Sequence, residues 1–587
     1  MIFSRKTELC KYALCIITPI FLLVVYYQIS PFVYTNNDDL YRKMIVSGEI
    51  SGTPDAHLFL GNYLLGLLLK VLYTYLPLIP WYGLFMCFCI ALCMGCVLYR
   101  ILPSPIFSKQ TVFTILLFSF FSFFLFFRNL VLTQFTVIAG ITGSCALFWA
   151  FTIDMGWSKK KKRFNYIILY ILAVSSFCIR EEIFFLLLPF AGILWIARFY
   201  SESGDKSWAG ILNYFKPIIH LVFLLVLLES FQAFGYRSDE WQDFMSYHTN
   251  RITLLDYTGF PEYESNMELY SSLGITQESY TAMSSRYMFL NNPDVTGENF
   301  AILAEYAQNI QKEEVSPDRL LSIFLQSLNF YTKSGAYGQF ILILYPGVIL
   351  YLLISGKSRK LLDVILLFAV RSSVWMYILF QGRYPERITQ TLLIAELFCL
   401  AGILLYTLWH MDGKKTPSRI AYGKYLLSLL LLCCVFIGLI NRSSLSQTVR
   451  QAKGMMQFNQ NYVELKAYLN AETDKHYLVD LYAVAYYTEP LLTLQDNRKT
   501  NFLTLGGWIT LSPLTDARLD SWGIEDSHTA LLKDPDLYII FGSDPSFTAN
   551  YFHEYYESKF PGCYFTQIDT LECSQGASFH FYSLLPP

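Results

Sequence analysis

The stretch HLFLGNYLLGLLLKVLYTYLP, residues 57–77, decides how this chain is threaded. Its length suits a membrane span of about 20 residues, but His57, Gly61, Asn62, Gly66 and Lys70 interrupt it. If it crossed a bilayer, the run KKKKR at 159–163 would face outward together with Arg100 and Lys109. If it lies along the outer surface, every basic loop faces inward: Arg100 and Lys109, Lys159 to Arg163, SGKSRK at 355–360 and GKKTPSR at 413–419. Short cytoplasmic loops carry the excess of Lys and Arg. The segment therefore reads as an interfacial or re-entrant amphipathic helix.

Composition places the rest of the chain around that choice. Hydrophobic residues are 54% of the 587 and charged residues only 15%, against about 25% in soluble chains. Apolar runs near 12–30, 80–99, 111–127, 130–152, 164–179, 183–200, 215–235, 339–355, 361–380, 388–409 and 425–441 have spanning length. The expectation is a polytopic α-helical membrane protein with about eleven transmembrane helices plus the interfacial one. The first run follows Arg5, Lys6 and Lys11 and precedes no small-residue cleavage site, so it reads as an uncleaved span. A net charge of -2 and the lack of a basic stripe argue against nucleic acid as a partner.

This threading makes the protein a multi-pass cell-membrane protein with a cytoplasmic N-terminus and an extracytoplasmic C-terminal domain. Four parts follow. Residues 1–235 form a membrane module with a catalytic first outer loop, and 236–338 an outer, mostly helical loop. Residues 339–441 carry further spans, and 442–587 a small outer α/β domain. In that last part a helix near 456–470 precedes the short apolar runs 476–481, 536–542, 563–569 and 578–584. Of the thirteen cysteines, all but Cys563 and Cys573 lie in or beside spans. The cluster Cys87, Cys89, Cys93 and Cys96 reads as small helix filler rather than a metal site. Cys563 and Cys573 leave a disulfide open if the tail is extracytoplasmic.

The unusual polar groups collect on the outer face. They are NNDD at 36–39, Arg128 and Asn129, REE at 180–182 and QGRYPER at 381–387. Arg383 and Arg387 lie four apart, a spacing that puts both guanidiniums on one helix face within reach of one anion. Lone Arg128 reads as an end-of-helix charge. Asp38 and Asp39 read either as a solvated Asx turn or as a general base with a companion carboxylate. Paired carboxylates beside arginines suit transfer from a lipid phosphate: the base deprotonates an acceptor hydroxyl while arginine meets charge on the leaving phosphate. No nucleotide sugar is available outside a cell, so the activated donor must be lipid-carried.

The order NDDLYRKMIVSGEISGTPDAHLFLGNYLLGLLLKVLY, with its acidic pair after the first span and an apolar helix introduced by His, resembles the GT-C superfamily. These are polytopic glycosyltransferases that use polyprenyl-phosphate-linked sugars. The resemblance covers roughly residues 10 to 410, and order and topology carry it. It implies Asp38 as base with Asp39 as companion, and Arg180, Arg383 and Arg387 as binders of the donor phosphate. It also implies Tyr41, Arg42, His57, Asn62, Glu181 and Glu182 as substrate-binding candidates. Many relatives have an acidic residue where this chain has Gln134; Glu181 or Glu182 stand as substitutes, and a divalent cation as cofactor stays open. The implied partners are a polyprenyl-phosphate sugar donor, an extracytoplasmic acceptor and the lipid bilayer. A transporter or flippase would require charges near the bilayer midplane and symmetric halves, and neither is evident in the sequence. A non-catalytic polysaccharide-assembly component would tolerate loss of Asp38.

Overall fold

The computed structural model describes residues 2–586 except 104, 105, 107, 203–206, 285–295, 311–315, 411–416, 496, 497, 499, 526 and 544. The basic residues expected in the inner loop at 413–416 lie outside the described residues. Among the described residues, ten helices are long and apolar enough to cross a membrane, from Thr7–Ile29 to the apolar stretch that begins at Ala421. The protein is thus a multi-pass membrane protein, mostly helical, with a small C-terminal sheet.

Two expected spans are reshaped. The run at 111–127 extends through a π-turn at Phe123–Phe127 to Val131, so Arg128 sits inside the helix Lys109–Val131. Its guanidinium meets Glu386 at 2.7 Å in an exposed pair, an arrangement that contributes about 0–1 kcal/mol. The run at 130–152 becomes the 17-residue helix Phe135–Phe151, buried along its whole length. It is the hub of the membrane region, packed against Lys159–Ile179, Trp81–Ile101 and Glu386–Trp409. Close approach explains its glycines: a Cβ on Gly140 would stand 2.5 Å from Thr391, and one on Gly143 would stand 2.8 Å from Ser176 Oγ. Small residues let helix backbones meet where apolar surface gains nothing over lipid.

The deciding segment forms the helix Tyr63–Tyr75, 13 residues long. At about 20 Å it falls short of the ~30 Å hydrocarbon core. Leu65, Leu69 and Tyr73 are buried, whereas Leu64, Leu68, Val71 and Tyr75 form an exposed apolar face. That is the face an interfacial helix turns to lipid.

Two charges inside the spans escape the hydropathy reading. Arg371 lies midway along Leu361–Phe380 and Glu396 midway along Glu386–Trp409, both fully buried, with Arg371 Nε 3.6 Å from Glu396 Oε2. Tyr331 and Tyr345 donate to Glu396 Oε1 at 2.6 and 2.7 Å. Arg371 donates to Ser327 Oγ at 2.9 Å and to the Ser327 carbonyl at 2.6 Å. The sequence reading of no charge near the midplane is thereby corrected. Partners from two further helices, Pro317–Lys333 and Gly335–Ile354, surround the pair, which fits the rule that intramembrane charges persist when paired. Ser327 and Tyr331 belong to Pro317–Lys333, the last helix of the 236–338 loop, which therefore packs against the spans.

The tail carries a five-stranded sheet in the order Phe502–Leu505, His476–Asp480, Leu537–Phe541, Ser578–Leu585, Tyr564–Glu572. The first three are parallel and the last two pair antiparallel. Strand Phe502–Leu505 was not among the expected runs. Cys563 and Cys573 are both free.

Three contacts dock this tail on the segment that follows the first span. Residues 33–34 pair with 132–133, and Val33 also bridges Pro490. Lys43 reaches Glu49 and Glu489 at 2.7 Å each, while Lys466 reaches Glu489 at 2.6 Å and Glu49 at 3.1 Å, forming an alternating ring of charge. Buried Arg518 donates from Nε to the Ile50 carbonyl and from Nη2 to the Glu49 carbonyl, both at 2.8 Å.

Candidate active site

The acidic pair opens the helix Asn37–Ser47. Asn36 caps it, its side-chain oxygen accepting the Asp39 amide at 3.3 Å. Gly48, at φ 83°, closes it in the left-handed conformation, where a Cβ would stand 2.6 Å from Pro54 N. Consecutive helical residues diverge by about 100°, so the two aspartates point to different surroundings. Asp39 is fully buried, accepting from Tyr82 Oη at 3.1 Å and from the Phe135 amide at 3.1 and 3.2 Å. Burial pushes its carboxyl up to about 7, against the pull of the Arg42 guanidinium. Asp38 is half-buried and lines a cavity of 1620 Å³. It accepts a long hydrogen bond of 3.4 Å from Asn36 Nδ2.

Arg180, Arg383 and Arg387 line the same cavity, with Glu182, Arg251 and Asp256. Arg180 is the extended cap residue between two helices and donates to Thr136 Oγ1 at 2.5 Å. Burial pulls it below the ordinary guanidinium value, with Glu182 and Asp38 opposing and Arg387 adding to the fall. Because guanidinium stays protonated, the crowded cations favour an anionic ligand. Arg383 pairs with Asp256 at 3.0 Å. Arg387, in the first turn of Glu386–Trp409, has an Nε with no hydrogen-bond partner among the described residues. The open end of that helix adds its own preference for anions.

Below this charged mouth the walls turn apolar. Leu186, Pro189 and Ile193 come from one face of Glu181–Glu202, and Leu366, Val370, Ser373 and Tyr377 from one face of Leu361–Phe380. Ile193 lies twelve residues past Glu181, so the slot descends about 18 Å alongside the span. Phe185 and Tyr377, both in the lining, are 50% and 61% exposed, so the slot opens sideways toward lipid. Leu60, the one described non-glycine residue with positive φ (59°), also lines the cavity; such strain clusters at functional sites.

The remaining expected residues, Glu182 apart, lie outside this lining. Arg42 is fully buried and donates from both terminal nitrogens to the Ile179 carbonyl at 3.2 Å, with its guanidinium 4.2 Å from the Phe135 ring centre. It holds the end of Lys159–Ile179, where a cation complements the helix dipole. Asn62 caps Tyr63–Tyr75 through the Leu64 amide at 3.0 Å. His57 joins Asp55 at 2.6 Å to the Gly235 carbonyl at 3.0 Å and stacks on Trp241. Tyr41 packs edge-on to Trp508. Glu181 turns to Glu229, while its neighbour Glu182 pairs with Arg180 at 3.4 Å. Gln134 caps Phe135–Phe151, accepting the Val137 amide at 3.0 Å.

Sequence reasoning passed over His248, Arg251, Asp256 and Trp508, all in the lining. The first three come from the 236–338 loop and Trp508 from the tail, where no short motif marks them. Among the described residues, no group of three or more His, Cys, Asp or Glu is placed to hold a metal ion.

No family model matches the chain, and no curated protein matches it. Two solved structures are similar. ArnT from Cupriavidus metallidurans in the apo state is 12% identical at a TM-score of 0.35, over 96% of this chain and 97% of that one. ArnT from the same organism bound to undecaprenyl phosphate is 11% identical at a TM-score of 0.35, over 97% of each chain.

Proposed function

We propose that this chain is a membrane glycosyltransferase of the GT-C type, moving a sugar from a polyprenyl phosphate to an extracytoplasmic glycan, lipid or protein. One observation carries the reading. A single cavity joins a half-buried carboxylate and a set of arginines to an apolar slot that runs down two spans and opens toward lipid. An anionic head on a long apolar tail fits that combination.

In the proposed step, Asp38 takes the proton from an acceptor hydroxyl. The freed oxygen attacks the anomeric carbon, and the bond from that carbon to the phosphate oxygen breaks. The electron pair leaves with the polyprenyl phosphate, whose growing charge meets Arg180, Arg383 and Arg387. Attack opposite the leaving group inverts the anomeric centre. Asp39 and Arg42 act as positioning residues, tying the Asp38 helix to Phe135–Phe151 and to the end of Lys159–Ile179.

Charge-assisted hydrogen bonds to phosphate contribute about 1.5–3 kcal/mol each. Arg383→Ala and Arg387→Ala are therefore expected to weaken binding of undecaprenyl phosphate to the full chain in nanodiscs by roughly ten-fold or more each. Unchanged affinity in both variants refutes the phosphate site. The threading is checked with Lys70→Cys and Lys160→Cys: an impermeant maleimide is expected to label position 70 from outside and position 160 only after permeabilisation. Labelling of position 160 in sealed cells reverses the whole face assignment.

A further inference from the structure

One wall of the cavity carries polar groups that the proposed step does not use. His248, on the helix Asp239–Ile252 of the outer loop, is 4% exposed, and neither ring nitrogen has a hydrogen-bond partner among the described residues. Trp508, from the loop after tail strand Phe502–Leu505, is 9% exposed, and its Nε1 also lacks a partner among those residues. Both line the cavity, with ring centres 5.9 Å apart and planes 61° to each other. An unmet buried donor or acceptor costs about 1–3 kcal/mol, so three at one wall point to a ligand that completes them.

The type of ligand follows from the atoms. Burial, with Arg251 adding, holds His248 down at about 3, so its ring is neutral. A neutral imidazole offers one donor and one acceptor, and the indole offers one donor. A phosphate needs donors only. A hydroxyl both donates and accepts, and the C–H face of a sugar packs on an aromatic ring such as that of Trp508, which lines the cavity. We propose that His248 and Trp508 form the subsite for the hydroxyl-bearing sugar of the donor, built jointly by the outer loop and the tail. This rests on the glycosyltransferase reading above.

The test measures affinities of the full chain in nanodiscs for undecaprenyl phosphate, bare and carrying glucose, mannose or arabinose. Wild type is expected to bind one charged lipid more tightly than the bare one. His248→Gln and Trp508→Phe, the latter keeping the ring and losing only the N–H, are each expected to weaken that lipid about ten-fold and leave the bare lipid unchanged. Charged-lipid affinity that both variants leave intact overturns the subsite, as does an equal loss for charged and bare lipid, which marks a role in the fold. A wild type that binds the bare lipid and prefers no charged one also overturns the subsite, with the lipid-phosphate reading left standing. A wild type that binds neither overturns both.

Discussion

Asp38→Asn is expected to lower sugar transfer at least about a hundred-fold, the loss that follows removal of a general base. The substitution keeps shape and polarity but leaves no group able to take the acceptor's proton. Asp38 is half-buried at the cavity wall and, among the described residues, has a single long hydrogen bond, so little of the fold depends on its charge. Expression, thermal stability and binding of undecaprenyl phosphate should all stay close to wild type. Asp39→Asn is the control. Its carboxylate accepts from Tyr82 and from the Phe135 amide inside the protein, so that change should lower the melting temperature as well as turnover. Transfer that survives Asp38→Asn would remove Asp38 as the base. Loss in Asp39→Asn alone, with stability intact, would move the role to the buried neighbour.

The second large effect is expected at the alternating ring of Lys43, Glu49, Lys466 and Glu489. Removing one partner of a buried ion pair costs about 3–5 kcal/mol, because the remaining charge stays buried without compensation. Glu489→Ala leaves two ammoniums facing Glu49 alone, so the tail should undock and 442–587 should become sensitive to limited proteolysis. Replacing Lys466 and Glu489 together by Met and Leu should recover much of the loss, since apolar replacements of similar volume are tolerated. A protected tail in Glu489→Ala would show that the ring does not hold it.

The pH dependence of this docking follows from the same ring. Burial alone would raise the Glu489 carboxyl, but Lys43 and Lys466 overcome it and hold the group at about 2. Burial would lower both lysines, yet the facing carboxylates raise them above the ordinary amine value. A lowered carboxyl contributes stability that is complete above its unfolded value and fades as pH falls toward about 2. Raised lysines contribute stability that is complete below their unfolded value and fades as pH climbs past it. Protease resistance of the tail is therefore expected to stay flat between about pH 5 and 9. A transition near neutrality would contradict the ring as the docking force.

The spans were legible because each is a long apolar run, and the interfacial helix because its polar interruptions and the basic loops agree. Asp38, Arg180, Arg383 and Arg387 were legible as polar exceptions at span ends, and the structure brings these four to one cavity. Arg42, His57 and Asn62 looked equally exceptional, but each is occupied with a backbone carbonyl or a helix cap. Local sequence does not separate a polar group that serves the chain from one left free for a ligand. Arg371 and Glu396 were hidden because hydropathy averages a single charge into its apolar neighbours. The ring of charge joins residues more than four hundred positions apart, a distance no spacing rule reaches. His248 and Trp508 were missed for a related reason: an aromatic or a lone histidine in a polar loop stands out only once its unmet nitrogens are seen at a cavity wall.

The bridge between Val33 and Pro490, with the ring beside it, also sets an order of assembly. Residues 33–34 leave the ribosome well before Trp508, which follows the apolar runs between 12 and 441. On the proposed threading the cavity gains its final wall only when the tail has been exported and folded back on the first loop. A chain lacking its tail would thus hold Asp38 and its arginines in the bilayer without the wall proposed to receive the sugar. On that reading competence waits for the tail, and a variant that traps the tail inside the cell is expected to be well inserted but idle.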